Sequence, residues 1–240
     1  MSKQTIFVIP DTHVPFHDQA AWNETLGCID KVNPWGVVII GDFADFYSIS
    51  SHTRNPDRKH QLREEVAAVN RELDVLASVF KGPVCFIEGN HEDRLRRYLW
   101  DRAPEMFGVV DTTSLFKLWE RGWKHVPYRQ SLKIGKVTYK HDYGGKAGKY
   151  AAEQSLEGFG GNLVIGHTHR GKVTYLGEGR PDGSPHFCLN VGWLGDLEQM
   201  DYVDPDKVRR DWQTGFGLVH YLRGYARAEF IPIVRGRALL

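Results

Sequence analysis

Leu-Val-Ile-Gly-His-Thr-His-Arg, residues 163–170, places two histidines one residue apart directly after a short apolar run. Such a run is typical of a buried β-strand, so His167 and His169 are predicted to lie where the strand ends. A neutral imidazole nitrogen is a common metal ligand near physiological pH. The pair alone is a weak signal and favours a polar turn after a buried strand; residues elsewhere in the chain decide between the two interpretations.

Three upstream apolar runs, residues 5–10, 37–40 and 84–87, are also predicted to be buried strands that end in polar residues. Apolar residues at helical spacing predict amphipathic helices over residues 18–32 and 64–80, between these strands. The order strand, helix, strand, helix, strand is typical of a parallel α/β sheet. In such sheets the functional site lies outside the carboxyl ends of the strands.

The residues that follow the predicted strands are rich in side chains that bind metals. They are Asp11-x-His13, Gly41-Asp42, Gly89-Asn90-His91-Glu92, His141-Asp142 and Gly166-His167-x-His169. Any one of these motifs fits a structural role. Five of them at successive strand ends indicate a metal site.

The second half of the chain shows a different pattern. Helices are expected over residues 93–100, 115–120 and 147–156, and a hairpin is expected around Gly135. Short β-like runs follow Gly171 and predict a second, more antiparallel sheet; they are residues 172–176, 186–191, 217–222 and 226–233. No internal repeat or linker divides the sequence, so residues 1–240 are expected to form a single domain.

The composition is that of an ordinary globular protein, with 41% hydrophobic and 25% charged residues. The formal net charge of +1 gives no argument for a nucleic-acid or membrane partner, which a local patch would have to provide. Cys28, Cys85 and Cys188 match no zinc-site spacing and are expected to be reduced core residues. Because the sequence contains neither a signal-type segment nor a run of ~20 apolar residues, we expect a cytoplasmic protein without a membrane partner. The sequence is also compatible with a homo-oligomer.

The order and content of the five motifs resemble the calcineurin-like metallophosphoesterase superfamily over about residues 5–170. The resemblance implies an α/β fold, a four-layer αββα sandwich of two mixed β-sheets flanked by helices, with the metal site at the carboxyl ends of strands. It also implies a metal-dependent phosphoesterase with two divalent metal ions. Oxygen and imidazole ligands without thiolate suit Mn, Fe or Zn, and we expect Mn²⁺.

Carried over position by position, the resemblance implies two sets of metal ligands. The first metal would be held by Asp11, His13, Asp42 and His169. The second would be held by Asp42, Asn90, His141 and His167. Asp42 is placed in both sets because a carboxylate can bind two cations with its two oxygens and offset their repulsion.

The resemblance also implies catalytic and substrate-binding residues. His91 corresponds to the family's histidine that binds no metal, touches the substrate phosphate and helps to protonate the leaving oxygen. Asp45 matches the aspartate that orients this histidine in Ser/Thr protein phosphatases, a plain loop acid being the alternative. Asn90, His91 and Arg94 are predicted to contact substrate. Arg94 is predicted from the residues themselves, because it comes early in the predicted helix and a guanidinium can bind phosphate oxygens in pairs; a solvated helix face is the alternative. Glu92 is expected to be a first-turn helix acid.

Two departures from the Ser/Thr protein phosphatases bear on the substrate. Phe46 stands where they carry a phosphate-binding arginine, and His169 is a histidine that they lack. With a basic loop at residues 52–60 and arginines at 94–97, these differences favour a phosphodiesterase that acts on DNA, RNA or nucleotides through a metal-bound hydroxide. The alternatives are a phosphomonoesterase, whose substrate is a phosphoprotein or a small molecule, and a non-catalytic metal-binding scaffold.

Overall fold

The computed structural model describes residues 4–58, 61–145, 148–177, 185–200, 206, 211–222 and 224–240. Lys59 and His60 of the predicted basic loop, and the first residue of the helix predicted over 147–156, lie outside these ranges. None of the described helices is both long enough and apolar enough to span a lipid bilayer.

The elements are numbered in chain order. The strands are β1 (Gln4–Ile9), β2 (Gly36–Ile39), β3 (Val84–Ile87), β4 (Lys124–Val126), β5 (Leu132–Ile134), β6 (Val137–Tyr139), β7 (Asn162–Ile165), β8 (Gly171–Leu176), β9 (His186–Val191), β10 (Gly215–Leu222), β11 (Tyr225–Val234) and β12 (Arg237–Ala238). The α-helices are α1 (Gln19–Val32), α2 (Leu62–Val79), α3 (Asp93–Arg102), α4 (Thr112–Leu115) and α5 (Ala151–Phe159).

The described strands form two mixed sheets. The larger sheet has the order β12-β11-β10-β1-β2-β3-β4, and its strands β1 to β4 run parallel. The smaller sheet has the order β5-β6-β7-β9-β8, with β6, β7 and β9 parallel and both edge strands antiparallel. The expectation that all strands after Gly171 belong to the second sheet was wrong, because β10 pairs antiparallel with β1 and carries β11 and β12 into the larger sheet.

The side chains of the central strands alternate between two apolar layers. In β1, Phe7 and Ile9 pack in the cluster that contains the apolar faces of α1 and α2, whereas Ile6 and Val8 pack against the smaller sheet. On the far side of the smaller sheet, Leu156 of α5 covers Leu163 of β7. The layers are therefore helix, sheet, sheet, helix, which confirms the predicted αββα sandwich. Each of the three cysteines is buried in one of these layers.

Local capping explains where the helices begin. Asp18 accepts hydrogen bonds from the backbone amides of Ala20 and Ala21 at 2.9 and 3.0 Å, and α1 therefore starts at Gln19, one residue after the predicted start. The helix expected over 115–120 was wrong. Asp111 and Ser114 form a reciprocal capping box that starts α4 at Thr112.

Candidate metal centre

The site lies at the carboxyl ends of five strands drawn from both sheets. Each predicted ligand follows one of these strands: Asp11 and His13 follow β1, Asp42 follows β2, Asn90 follows β3, His141 follows β6, and His167 and His169 follow β7. Because β1 to β3 belong to the larger sheet and β6 and β7 to the smaller one, the centre forms where the two sheets meet.

The backbone turns sharply at four of these residues. His13, Asp42, His167 and His169 have φ angles of 55°, 49°, 66° and 59°. Residues other than glycine rarely adopt this left-handed conformation, which typically costs about 1–3 kcal/mol and concentrates at functional sites. The surrounding packing therefore holds these residues in conformations that the isolated chain would avoid.

Glycines in the motifs allow the loops to approach the ligands closely. A Cβ atom on Gly89 would lie 2.1 Å from Asp42 Oδ1, and one on Gly166 would lie 2.3 Å from Asp11 Oδ1. Both distances are far below van der Waals contact. These positions therefore require glycine for steric reasons.

Asp11, His13 and His169 form the first group of possible metal ligands. His169 Nε2 lies 3.1 Å from His13 Nε2 and 3.2 Å from Asp11 Oδ2. Burial raises the pKa of Asp11 to about 6 and lowers the pKa of His169 to about 3, and burial also lowers the pKa of His13. Asp11 Oδ1 and His169 Nδ1 are buried and have no hydrogen-bond partner within the described chain. Neutral imidazoles have a free nitrogen lone pair, and Asp11 Oδ1 receives no hydrogen bond. Together these groups suit a bound cation.

Asp42, His141, His167 and Asn90 form the second group. His141 Nε2 lies 3.0 Å from Asn90 Oδ1 and 3.3 Å from Asp42 Oδ2, while its Nδ1 donates to the carbonyl oxygen of Ile40 at 3.0 Å. That backbone bond directs Nε2 into the site. Burial works against both charges, but His141 holds the pKa of Asp42 well below its usual range, and Asp42 raises the pKa of His141 to about 10. The same negative field attracts a metal cation.

The two groups fit two divalent ions. In each of the sets Asp11, His13, His169 and Asp42, His141, His167, the possible ligand atoms lie within 4.8 Å of one another.

A third set, His13, Asp45 and His91, is equally compact. His13 Nδ1 lies 3.1 Å from Asp45 Oδ2, and its Nε2 faces His169. A carboxylate on the outer nitrogen of a histidine is the usual support of a metal ligand, so Asp45 is placed to orient His13.

Asp45 also contacts the other two residues predicted for substrate chemistry. Its carbonyl oxygen lies 2.9 Å from His91 Nδ1, and its carboxylate lies 3.3 Å from the same nitrogen. Arg94 donates to the carbonyl oxygen and to Oδ1 of Asp45 at 2.9 and 3.2 Å, and Arg94 Nη2 lies 3.1 Å from His91 Nε2. A guanidinium only donates, so this contact assigns the proton of neutral His91 to Nδ1. The structure thus brings His91, Asp45 and Arg94 together.

Glu92 differs from its prediction as a first-turn helix acid. Its side chain is 1% exposed and accepts hydrogen bonds from the backbone amides of Asp42, Ala44 and Gly89 at 2.9, 2.8 and 2.7 Å. Burial and the charge of Asp42 raise its pKa to about 7. Glu92 therefore links the loop after β2 to the loop after β3 through hydrogen bonds. In the sequence, only its position next to His91 pointed to a place in the site.

Aromatic rings enclose one side of the site. Trp193 stacks on the His169 ring at 5.2 Å between centroids, and Trp212 meets the same ring edge-on at 4.1 Å. No motif in the sequence connects these tryptophans with the histidine.

Phe46, which replaces the arginine of the protein phosphatases, is buried and stacks on Phe116 at 5.6 Å. This position therefore presents no cation to a phosphate.

Fold and site define a calcineurin-like phosphoesterase. The family model of that name matches residues 4–224, and the chain belongs to this family, which confirms the resemblance seen in the motifs. The protein is therefore a metal-dependent phosphoester hydrolase, and membership implies two divalent metal ions.

Relatives of this chain occur in mycobacterial phages. It is 31% identical to the gene 54 protein of Mycobacterium phage D29 and 30% identical to that of Mycobacterium phage L5. Each match covers 99% of this chain and 96% of the phage protein. Among solved structures, Vacuolar Protein Sorting 29 from Cryptosporidium parvum has a TM-score of 0.51 at 16% identity, over 98% of this chain and 94% of that one. This last similarity concerns the fold.

Proposed function

We propose that the protein is a manganese-dependent phosphodiesterase that acts on nucleic acid or nucleotides. The observation that carries the proposal is the position of His91 and Arg94 beside two groups of buried metal-binding side chains at one edge of the sandwich. Two bound divalent ions would neutralise the phosphoryl oxygens and supply a nucleophile from water near neutral pH. In this proposal Asp11, His13 and His169 hold one ion, and Asn90, His141 and His167 hold the other.

Asp42 is proposed to serve both ions. His141 of the second group and His13 of the first both lower the pKa of Asp42, so its carboxylate lies within the field of each group. The backbone amide of His91 donates to Asp42 Oδ1 at 2.8 Å, which fixes the orientation of the carboxylate. A carboxylate held between two cations offsets their mutual repulsion.

His91 is proposed to donate a proton to the leaving oxygen. Its ring is buried, which disfavours the charged form, but Asp42 and Asp45 outweigh the burial and raise its pKa. A histidine whose pKa is raised by neighbouring carboxylates is a suitable general acid. Without substrate, Arg94 Nη2 donates to the unprotonated Nε2 of His91. A phosphate oxygen bound between the two side chains would replace this contact and accept from both once His91 is protonated.

The environment of the site favours a diester over a monoester. A phosphate diester carries one negative charge, whereas a monoester carries nearly two at neutral pH. Phe46 adds no cation at the position where protein phosphatases carry their arginine, because it is stacked on Phe116 in the core. Arg94, held by Asp45, contributes one guanidinium.

The experiment compares two small substrates. Manganese-reconstituted protein is assayed on bis-p-nitrophenyl phosphate and on p-nitrophenyl phosphate, with the chelator-treated protein as the control. We expect kcat/KM for the diester to exceed that for the monoester by about tenfold or more. Activity on the monoester alone would overturn the proposal that the protein is a phosphodiesterase. A protein that holds two metal ions and cleaves neither substrate would instead favour a scaffold.

A further inference from the structure

A groove lined by arginines runs along α3 from His91 to the end of the helix. We call it the basic groove; its defining side chains are Ser48, Ser50, Arg54, Arg97, Tyr98 and Arg102. They line a cavity of about 430 Å³, and a second cavity of about 890 Å³ shares Ser50, Arg54 and Arg94 with it and reaches Asn90 and His91. The groove therefore opens into the candidate metal centre.

Helical spacing places the groove residues of α3 on one face. Arg94, Tyr98 and Arg102 follow one another at intervals of four residues, and a rise of 1.5 Å per residue separates the ends of this series by about 12 Å. The opposite wall comes from the segment that follows β2, including the serines and Arg54. The groove is thus longer than the contact that a single phosphate makes with His91 and Arg94.

The charge of the groove is positive. Four arginines, at positions 54, 94, 97 and 102, line the cavity of about 430 Å³ together with one acid, Asp101. Arg97 is held by Asp93 at 3.3 Å, and Arg54 donates to the carbonyl oxygen of Ser48. Arg102 is exposed and makes no ion pair with any described residue. Since the net charge of the chain is only +1, the positive charge of the groove is a local feature that would attract a polyanion.

Tyr98 gives the groove an aromatic surface. Its side chain is 41% exposed and lies between arginines on the same helix face. Bases of a single strand stack on exposed aromatic rings while arginines track the phosphates, whereas bases inside a duplex are already stacked on each other. The hydroxyl group of Ser50 adds a further donor for a phosphate oxygen.

We propose that the basic groove binds single-stranded nucleic acid, with phosphates on Arg54, Arg97 and Arg102 and a base on Tyr98, and leads the strand to His91. The proposal names single-stranded nucleic acid as the substrate class of the phosphodiesterase. Its claim that the bound strand is cleaved rests on that proposed function. Binding itself does not depend on it.

The test measures binding of a fluorescein-labelled dT12 oligonucleotide by fluorescence anisotropy. All variants carry His91→Ala, which slows hydrolysis of the probe by the manganese-loaded protein during the measurement. We expect Tyr98→Ala and Arg102→Ala each to weaken binding by about tenfold. Arg71→Ala, which removes an exposed arginine of α2 outside the groove, serves as the matched control and should bind as the parent does.

The salt dependence separates a phosphate contact from a general loss of structure. Arg102→Ala should reduce the slope of log K against log salt concentration by about 0.7, the contribution of one phosphate contact to a single strand, and Arg102→Lys should restore it. Parent-like affinity and slope in both alanine variants would overturn the proposal. A 12-base-pair duplex that binds as tightly as dT12 would overturn it as well.

The two proposals can fail separately. If the unmodified protein hydrolyses bis-p-nitrophenyl phosphate but Tyr98→Ala and Arg102→Ala leave dT12 binding unchanged, the groove assignment is wrong and the phosphodiesterase stands. If dT12 binding depends on these residues but the unmodified protein hydrolyses no phosphodiester, the phosphodiesterase is wrong and the groove stands.

Discussion

His13 Nε2 and His169 Nε2 lie 3.1 Å apart, although 156 positions separate the two residues in the chain. Two nitrogen lone pairs at this distance repel each other unless a proton or a metal cation lies near both. Burial lowers the pKa of both histidines, that of His169 to about 3, which disfavours a second proton on either ring and leaves each with a nitrogen lone pair. Asp11 Oδ2, 3.2 Å from His169 Nε2, adds negative charge at the same point. Two neutral imidazoles and a carboxylate at one point form a set of side chains that could hold a metal cation.

Substitution of His91 separates proton donation from metal binding. His91→Ala should leave the metal content unchanged, because His91 belongs to neither proposed ligand set, but should lower kcat on bis-p-nitrophenyl phosphate by about a hundredfold, the usual scale for a general acid. Steady-state kinetics and metal analysis of the same sample provide the measurement. Full activity in the variant would remove His91 from the mechanism.

Two arginines of α3 form a matched pair. Arg94 points into the site and contacts Asp45 and His91, whereas Arg96 pairs with Asp93 and packs over the Trp100 ring at 4.2 Å. Arg94→Ala should lower kcat/KM on bis-p-nitrophenyl phosphate by roughly 10–100-fold, the scale of a hydrogen bond to a charged group. Arg96→Ala should stay within about twofold of the unmodified protein. Equal losses in the two variants would show that the effect comes from the helix as a whole.

The close approach of Gly89 to Asp42 predicts a steric effect on stability. Gly89→Ala brings a methyl group to 2.1 Å from Asp42 Oδ1 and 2.5 Å from the Asp42 amide nitrogen, and should reduce the free energy of unfolding by about 1–3 kcal/mol. Gly27→Ala is the control, because a Cβ there has no neighbour within 4 Å and should stabilise α1 by up to about 1 kcal/mol. Thermal melts of both variants test this, and unchanged stability of Gly89→Ala would contradict the close contact.

Glu65 predicts a pH-dependent stability. Burial raises its pKa to about 7, against the hydrogen bond from the Ser48 amide at 2.8 Å, whereas in the unfolded chain the group titrates near 4.5. The folded state therefore binds the extra proton, and the stabilising contribution is complete below pH 4.5 and is lost as the pH rises through 7.

Glu65→Gln removes this titration. The free energy of unfolding of the metal-free variant, relative to the metal-free unmodified protein, should increase by about 2 kcal/mol between pH 5.5 and 8. Urea titrations at several pH values measure the difference. Parallel pH profiles of the two proteins would show that Glu65 titrates normally.

The parallel half of the fold could be predicted from the sequence because its strands are continuous apolar runs. The prediction for β3, residues 84–87, matches the structure, and those for β1 and β2 differ by one residue at each end. β4 was missed, since its three residues, Lys124–Val126, offer no such run. The pairing of β10 with β1 joins residues more than 200 positions apart and leaves no local signal.

Those residues of the candidate site that occur in motifs could be predicted from the sequence. The structure brings the predicted ligands together, and their roles as ligands remain predictions. The buried role of Glu92 and the stacking of Trp193 on His169 depend on how distant loops pack, which no short motif encodes.

The metal content of the reconstituted protein tests the central claim most directly. The unmodified chain and the variants Asp42→Asn and Asp30→Asn are loaded with Mn²⁺, freed of excess metal and analysed by mass spectrometry; Asp30 is an exposed acid of α1 and serves as the control. We expect two ions per chain in the unmodified protein and in Asp30→Asn, and one or fewer in Asp42→Asn. One ion or none in the unmodified protein, or two in Asp42→Asn, would contradict a binuclear centre that shares Asp42.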